Sequence, residues 1–273
     1  MKMIYGIVGH PVAHSLSPAM YNAAIKHLKI DAEYRIFDID PSDPENLANF
    51  CYETTLNNIS GFSVTMPYKQ EIMTYMDEYD PLAKIVGCVN TVINDDSRLI
   101  GYNTDTIGSM QALREKSDLI GRKALVMGGG GAARAIAYGL KEFGTDVFLF
   151  NRTMEKAEEI AKEYDMLTID FRKIQDEDFD IIINATPVGS APNTEESLLH
   201  ADQIPSHAVV MDVNTNPVET QLIKEAKKAG AKTVTGERML LHQAVNQFKL
   251  FFNLEAPLEV MEKAMEEELR RRK

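Results

Sequence analysis

Short apolar runs alternate with helix-periodic segments along almost the whole chain. Met3–Val8 is an apolar strand that ends at Gly9. Ser17-Pro18 opens a helix, with serine at the cap and proline at the first helical position, and Met20, Ala24 and Leu28 recur on one face. The pattern continues with a strand at Glu33–Phe37, a helix over Asn46–Tyr52, a strand at Gly61–Val64 and a helix beginning near Lys69, just after Pro67. Cys88–Ile93 and Leu99–Tyr102 read as strands on either side of an Asn94–Ser97 turn. Thr104–Glu115 is helical in period and Lys116–Arg122 is a polar link. Beyond it, strands at Lys123–Met127, Val147–Phe150, Ile181–Asn184, Val209–Val213 and Lys232–Thr235 alternate with helices at Gly131–Phe143, Glu155–Lys162 and Val218–Ala229. Strands that are apolar at nearly every position, interleaved with helices, predict a parallel sheet covered on both faces. Arg238–Phe252 and Leu258–Arg272 predict two closing helices, which either pack back on the first part of the chain or serve an interface.

The turn after Lys123–Met127 is GGGGAARA, and the next strand runs into Asn151-Arg152-Thr153. Strand, tight glycine turn, helix and strand open a dinucleotide-binding βαβ unit. In Gly128-x-Gly130-x-x-Ala133, Gly128 serves the tight turn, Gly130 lets the backbone approach a pyrophosphate, and Ala133 lets the helix sit close to the sheet. The helix N-terminus adds N–H donors and a favourable dipole. No Lys-Ser or Lys-Thr pair follows, so a Walker phosphate loop is a poor fit. An acidic residue after the second strand would accept ribose hydroxyls; Asn151 and Arg152 stand there instead, and a cation suits the extra phosphate of NADP. Arg152 alone also reads as a solvated cation. Thr153 either adds a hydroxyl to the phosphate or caps the following helix.

Composition narrows the class. A chain of 273 residues makes one large domain or two ordinary ones, and 44% hydrophobic residues supply real cores. No apolar stretch is long enough for a membrane span, and the N-terminus lacks the sustained apolar region of a signal peptide. A formal charge of −12 argues against a general nucleic-acid or membrane-surface binder. Cys51 and Cys88 make no disulfide framework and read as buried thiols in a reducing cytoplasm. The 6 histidines, His10, His14, His27, His200, His207 and His242, form no metal-ligand spacing, so no metal is expected.

Other polar residues gather where chemistry could sit. Ser15 and Ser17, one residue apart before a helix, could hold a carboxylate through charge-assisted hydrogen bonds, or Ser17 could simply cap. Lys69 at an expected helix start opposes the dipole, which points to a functional use; a surface cation is the plain alternative. Cys88–Thr91 and Gly101–Asp105 bring polar side chains to strand ends that can project into a cleft. Asp105 could also be a cap, and Gln243 a surface amide.

Taken together, GIVGHPVAHSLSPAMYN, SVTMPYK, CVNTV, GYNTD, GGGGAARA, NRT, NATPVG and GERMLLHQA resemble the shikimate dehydrogenase family, in family order over almost the whole chain. The resemblance implies a two-domain α/β fold. A discontinuous α/β substrate-binding catalytic domain, 1–104 and 238–273, would flank an NADP-binding Rossmann-like domain, 105–237. It implies reversible reduction of 3-dehydroshikimate to shikimate with NADPH. Ser15 and Ser17 match the groups that hold the substrate carboxylate. Thr65, Asn90, Asp105 and Gln243 match groups around the ring hydroxyls, and Lys69 and Asp105 match the catalytic pair. Gly128, Gly130, Gly131 and Ala132 match the pyrophosphate loop; Asn151, Arg152 and Thr153 match the 2′-phosphate site; Gly236 and Met239 match residues bordering the nicotinamide. Two positions depart from the family pattern: Thr215 stands where a tyrosine is common, and Thr106 where a glycine is usual. The first change leaves quinate- or aminoshikimate-type dehydrogenases as alternatives. A non-catalytic NADP-responsive binding protein is a further alternative, against which Lys69 and Asp105 argue. Monomer and homodimer are both compatible with the pattern.

Overall fold

A computed structural model describes residues 2–272. Two six-stranded sheets organise two compact units. One unit runs through Thr104 and resumes at Gln243; the other is Asp105–His242.

The first unit begins with β1 (Met3–Gly9), α1 (Ser17–His27), β2 (Ala32–Asp38), α2 (Glu45–Leu56) and β3 (Ile59–Val64). It continues with β4 (Glu78–Tyr79), α3 (Pro81–Val86), β5 (Thr91–Asp95) and β6 (Arg98–Tyr102). The sheet order is β2-β1-β3-β5-β6-β4. Strand β1 pairs in parallel with β2 and β3, whereas β5 runs antiparallel to both β3 and β6. The β5–β6 hairpin turns on Asp96 and Ser97, both at positive φ (49° and 69°), the mirror-type turn that matches strand twist. Phe50, Phe62, Val64, Tyr68, Ile72 and Val92 are part of its core.

Several elements differ from expectation here. No α-helix follows Pro67: the chain turns through Lys69 and only then forms a short 3₁₀ helix, Glu71–Tyr75. The Val89 N–H bonds the Lys69 carbonyl at 2.8 Å, so that carbonyl is used across the chain rather than along a helix. Strand β5 starts at Thr91, not Cys88; just before it the Val89 N–H goes to the Lys69 carbonyl rather than to a neighbouring strand. The short β4 and α3 carry too few residues for a periodic signal.

The second unit holds α4 (Asp105–Arg114), β7 (Lys123–Met127), α5 (Gly131–Glu142), β8 (Asp146–Phe150), α6 (Met154–Tyr164) and β9 (Leu167–Thr168). It then holds β10 (Ile181–Asn184), β11 (Val209–Asp212), α7 (Gln221–Lys228) and β12 (Lys232–Val234). The order β12-β11-β10-β7-β8-β9 is parallel throughout. Strands β10 and β11 are buried at every position, as a sheet covered on both faces requires. The strand order reverses between β7 and β10, so the crevice beyond their carboxyl ends is a topological switch point. Helix α7 starts later than expected because Thr220 caps it, its hydroxyl accepting from the Ile223 N–H.

The closing helices are α8 (Gly236–Phe252) and α9 (Leu258–Arg271). In the first unit, Tyr5 donates its hydroxyl to the Phe251 carbonyl of α8 at 3.0 Å. Gly61 of β3 lets the Phe251 ring lie on the sheet; a Cβ there would come within 3.1 Å of it. Helix α9 packs on α1. Among the described residues no helix is long and apolar enough to cross a membrane, and no group of three or more His, Cys, Asp or Glu could hold a metal ion.

Candidate active site

In the first unit, the loop from β1 to α1 carries Ser15 and Ser17. The latter is buried and begins α1, but it is not the cap: Leu16 holds that position, and no side chain caps the helix. Instead the Ser17 N–H donates to the Ser15 Oγ at 3.2 Å. Thr65 follows β3 and lies against Gly9, where a Cβ would be only 2.3 Å from the threonine methyl. The Thr65 N–H bonds the Val8 carbonyl (2.8 Å), and the His10 N–H bonds that of Met66 (3.0 Å). Tyr68 is buried in the core and donates its hydroxyl to the Ile39 carbonyl at 2.7 Å. Half-buried Lys69 thus sits in a turn clamped on both sides, by Tyr68 and by the Val89 N–H.

Asn90 is the knot of this unit. It is buried, and its Oδ1 accepts from the Thr104 N–H and the Thr91 hydroxyl, both at 2.8 Å. Its Nδ2 donates to Thr104 Oγ1 (2.9 Å) and, at 3.4 Å, to Gln243 Oε1. Gln243 is therefore a buried amide in this network, not a surface one. The residue before Asn90 bonds Lys69, and the residue after Thr104 is Asp105. Within the first unit, Asn90 thus holds Thr104 through its side chain, while the neighbouring Val89 N–H holds the Lys69 turn. Asp105 is buried and is the first residue of α4 rather than its cap; a carboxylate there suits the helix dipole.

Sequence reading missed a second amide, Gln247. Its Oε1 accepts from Tyr21 OH (2.6 Å) and Ser63 Oγ (2.7 Å), and its Nε2 donates to the Asn90 carbonyl (2.9 Å). Ser63 in turn accepts from Tyr34 OH at 2.6 Å. Burial pushes the Tyr34 phenol up, opposed by hydrogen bonds to Ser63 and Ser17. Helical period marks Gln247 only as an α8 residue; its partners lie 184 and 226 positions away in sequence. Gln247→Met keeps the volume and takes the acceptor from the buried Ser63 hydroxyl, while the Tyr21 hydroxyl keeps the Ala244 carbonyl and the Asn90 carbonyl keeps the Val64 N–H. One unmet buried group costs about 1–3 kcal/mol, so a net loss of about 1–3 kcal/mol is expected, read from the urea midpoint. A loss below about 0.5 kcal/mol would contradict this role.

In the second unit, Gly128 leaves β7 at φ +143°, a conformation side chains rarely adopt. A Cβ there would meet the Ala185 carbonyl at 2.8 Å and the Ala133 methyl at 3.2 Å, so helix, turn and β10 exit share one tight space. Gly130 is the N-cap of α5, has no side-chain cap, and a Cβ there would meet nothing within 4 Å. Gly131 and Ala132 form the half-buried first turn. Gly129 was not among the expected residues, yet a Cβ there would lie 2.8 Å from Lys156 Cβ and 3.1 Å from Asn151 Nδ2. The turn after β8 packs directly on the glycines. Asn151 closes that turn by donating Nδ2 to the Thr153 carbonyl at 2.9 Å. Thr153 is the N-cap of α6 but makes no side-chain cap bond. Arg152 is exposed and has no hydrogen bond or ion pair among the described residues. Lys156 is exposed in the first turn of α6, where a cation opposes the dipole. Arg134, inside the glycine motif itself, is buried and paired with Glu163 and Glu159 of α6, so it is a structural clamp.

Loops beyond β10 and β11 are laced together. Asp212 is buried and accepts from Asn184 Nδ2 (3.1 Å), Thr220 Oγ1 (2.7 Å) and the Asn214 N–H (3.0 Å). Burial pushes its carboxyl above the usual carboxylate range, and these bonds pull it back. Asn214 Nδ2 donates to the Thr186 and Val188 carbonyls, and Thr215 beside it is half-buried. Gly236 begins α8 where a Cβ would be 2.4 Å from the Asn214 carbonyl, so only glycine lets the helix start so close. Met239, one turn on, lies in the core of this unit. Thr106, the other departure, is buried with its methyl against Gly139 of α5, which accounts for a side chain at that position.

Three family descriptions match the chain. Residues 7–92 match the shikimate dehydrogenase substrate binding domain, 110–234 match shikimate / quinate 5-dehydrogenase, and 236–266 match the shikimate 5′-dehydrogenase C-terminal domain. The NADP(+) shikimate dehydrogenase of Methanococcus maripaludis is 42% identical over 271 residues, covering 96% of each chain. Its counterpart from Methanocaldococcus jannaschii is also 42% identical, over 96% of this chain and 95% of that one. A Thermus thermophilus shikimate 5-dehydrogenase solved with NADP(H) and shikimate superposes with a TM-score of 0.90 at 34% identity, over 97% of this chain and 99% of that one. On both sequence and structure, this two-domain α/β chain belongs to the shikimate dehydrogenase family.

Proposed function

We propose that this chain reduces 3-dehydroshikimate reversibly to shikimate with NADPH. The observation that carries the reading is the Asn90 knot of the first unit, which gathers buried Thr104 and Gln243 next to the turn that holds Lys69. The glycine turn suits the cofactor: Gly130 leaves open space at the start of α5, and Arg152 and Lys156 are cations beside it. When bound, NADPH supplies the hydride. Lys69, as an ammonium group, stabilises the negative charge that grows on the substrate carbonyl oxygen and gives that oxygen its proton. Asp105 accepts a hydrogen bond from the neighbouring ring hydroxyl and orients the ring. Thr65, Asn90 and Gln243 would bond further hydroxyls, Ser15 and Ser17 would hold the carboxylate, and Gly236 and Met239 would border the nicotinamide. Gly128, Gly130, Gly131 and Ala132 would hold the pyrophosphate, and Asn151, Arg152 and Thr153 would hold the 2′-phosphate. Both cysteines are buried, and burial pushes the Cys51 thiol up to about 12, which suits a thiol protein of a reducing cytoplasm.

An initial-rate matrix of shikimate, quinate and aminoshikimate against NADP and NAD tests the assignment. The highest kcat/KM is expected for shikimate with NADP. Half-buried Thr215 in place of a tyrosine is the feature that would favour quinate, and a quinate rate above that for shikimate would reassign the substrate. The carboxylate role has its own signature. Ser15→Ala and Ser17→Ala each remove one hydrogen bond to a charged group, worth about 1.5–3 kcal/mol, so KM for shikimate should rise about 10-fold or more. Turnover should fall far less. Unchanged KM in both variants rejects that role.

A further inference from the structure

Helix α9 ends in a run of arginines, and one of them leaves its own helix. Arg270 and Arg271 pair with Glu266 and Glu268, the ordinary i,i+4 and i,i+3 pattern of an exposed helix. Arg272, the C-cap residue, reaches the loop that carries the two serines. Its Nη1 donates to the His14 carbonyl at 2.6 Å and its Nη2 to the Ser15 carbonyl at 3.1 Å. Its Nε donates to Glu268 Oε1 at 2.9 Å, which holds the guanidinium plane. Three of five donors on one rigid fork are thus engaged, two of them on consecutive carbonyls. A lysine could not span both carbonyls in this way.

Among the described residues the loop has few other ties besides the hydrogen bond between Ser17 and the Tyr34 phenol. Val12 and Leu16 bury their side chains, the Ser15 N–H bonds the Val12 carbonyl at 3.0 Å, and the Ser17 N–H uses the Ser15 hydroxyl. Helix α9 itself is anchored by the buried Met261 and Met265 and packs on α1, which Ser17 begins. The fork therefore connects a rigid helix to the one stretch whose two hydroxyls must be held at fixed spacing.

We propose that Arg272 is a positioning residue for the substrate carboxylate, acting through Ser15 and Ser17. The inference rests on the carboxylate role of those serines. The clamp fixes the loop before the ligand arrives, so less ordering entropy is lost on binding.

Arg272→Ala is expected to raise KM for shikimate about 5- to 20-fold, with kcat changed less than about twofold and KM for NADP unchanged. Arg272→Lys should recover only part of the loss. Hydrogen–deuterium exchange over residues 12–17 should quicken in Arg272→Ala while the melting temperature stays within about 1 °C, as expected for a partly exposed side chain. The double variant with Ser15→Ala should raise KM by less than the product of the two single effects. If the serine variants raise KM and Arg272→Ala does not, the positioning role is wrong while the carboxylate assignment stands. If the serine variants leave KM unchanged, both fall. A lowered melting temperature with unchanged KM would make Arg272 a helix anchor only and would overturn the proposal.

Discussion

Lys69→Ala is expected to lower kcat about 10³-fold while KM for shikimate moves less than about threefold. Reduction of a ketone turns a neutral carbonyl oxygen into an alkoxide, and that charge exists fully only on the way to product. A fixed cation beside it binds the transition state far better than the ground state, so its removal appears in kcat. Loss of one such electrostatic partner costs about 10²–10³, and loss of the proton donor about 10²–10⁴. The two effects overlap in one side chain, which sets the estimate near 10³ rather than at their product. The turn that holds Lys69 should survive, because the Tyr68 hydroxyl and backbone groups anchor it. An unchanged melting temperature checks that. Asp105→Asn keeps the shape and loses the charge, so a smaller loss, about 10²-fold, is expected. Near-normal turnover in both variants would remove the pair from the mechanism.

What could be read from the chain beforehand follows physical lines. The strands of the all-parallel sheet were legible because burial on both faces leaves apolar residues at every position, as in Ile181–Asn184 and Val209–Asp212. The glycine turn was legible because Gly128 and Gly130 answer to local backbone demands. Gly129 was not, since its requirement comes from Lys156 and Asn151, on the far side of a strand. The turn at Lys69 defied local pattern because it is set by an N–H from Val89. Ser17, Asp105 and Thr153 were ambiguous for a different reason: helix starts and ligand sites ask for the same hydroxyl and carboxylate side chains. Only contacts separate the uses. Gln247, Tyr21 and Tyr34 form a network through side chains distant in sequence, and no periodicity reports such pairings. The two motif arginines show the same limit, since Arg134 and Arg152 look alike until Glu163 and Glu159 are seen to take up the first.

That distinction determines the second large effect. Arg152→Ala should reduce kcat/KM for NADP about 10²-fold and leave that for NAD within about threefold. A guanidinium forms short, often bidentate, charge-assisted bonds to phosphate, each worth about 1.5–3 kcal/mol. At 1.4 kcal/mol per tenfold, one or two such bonds give the expected factor. Nothing in the free protein competes for them, because Arg152 has no ion-pair partner among the described residues. Lys156, in the first turn of the adjoining helix, supplies a second point charge without a fork, so Lys156→Ala should cost NADP about 10-fold at most. Both charges are exposed and hence screened. The preference for NADP over NAD should therefore shrink as salt rises in the parent enzyme, and the Arg152→Ala variant should show a flatter dependence. Steady-state kinetics with each cofactor at low and high ionic strength measure all of this at once. Equal losses for NADP and NAD in Arg152→Ala would mean that the arginine supports the turn rather than recognising the phosphate. A loss confined to Lys156→Ala would move recognition to α6.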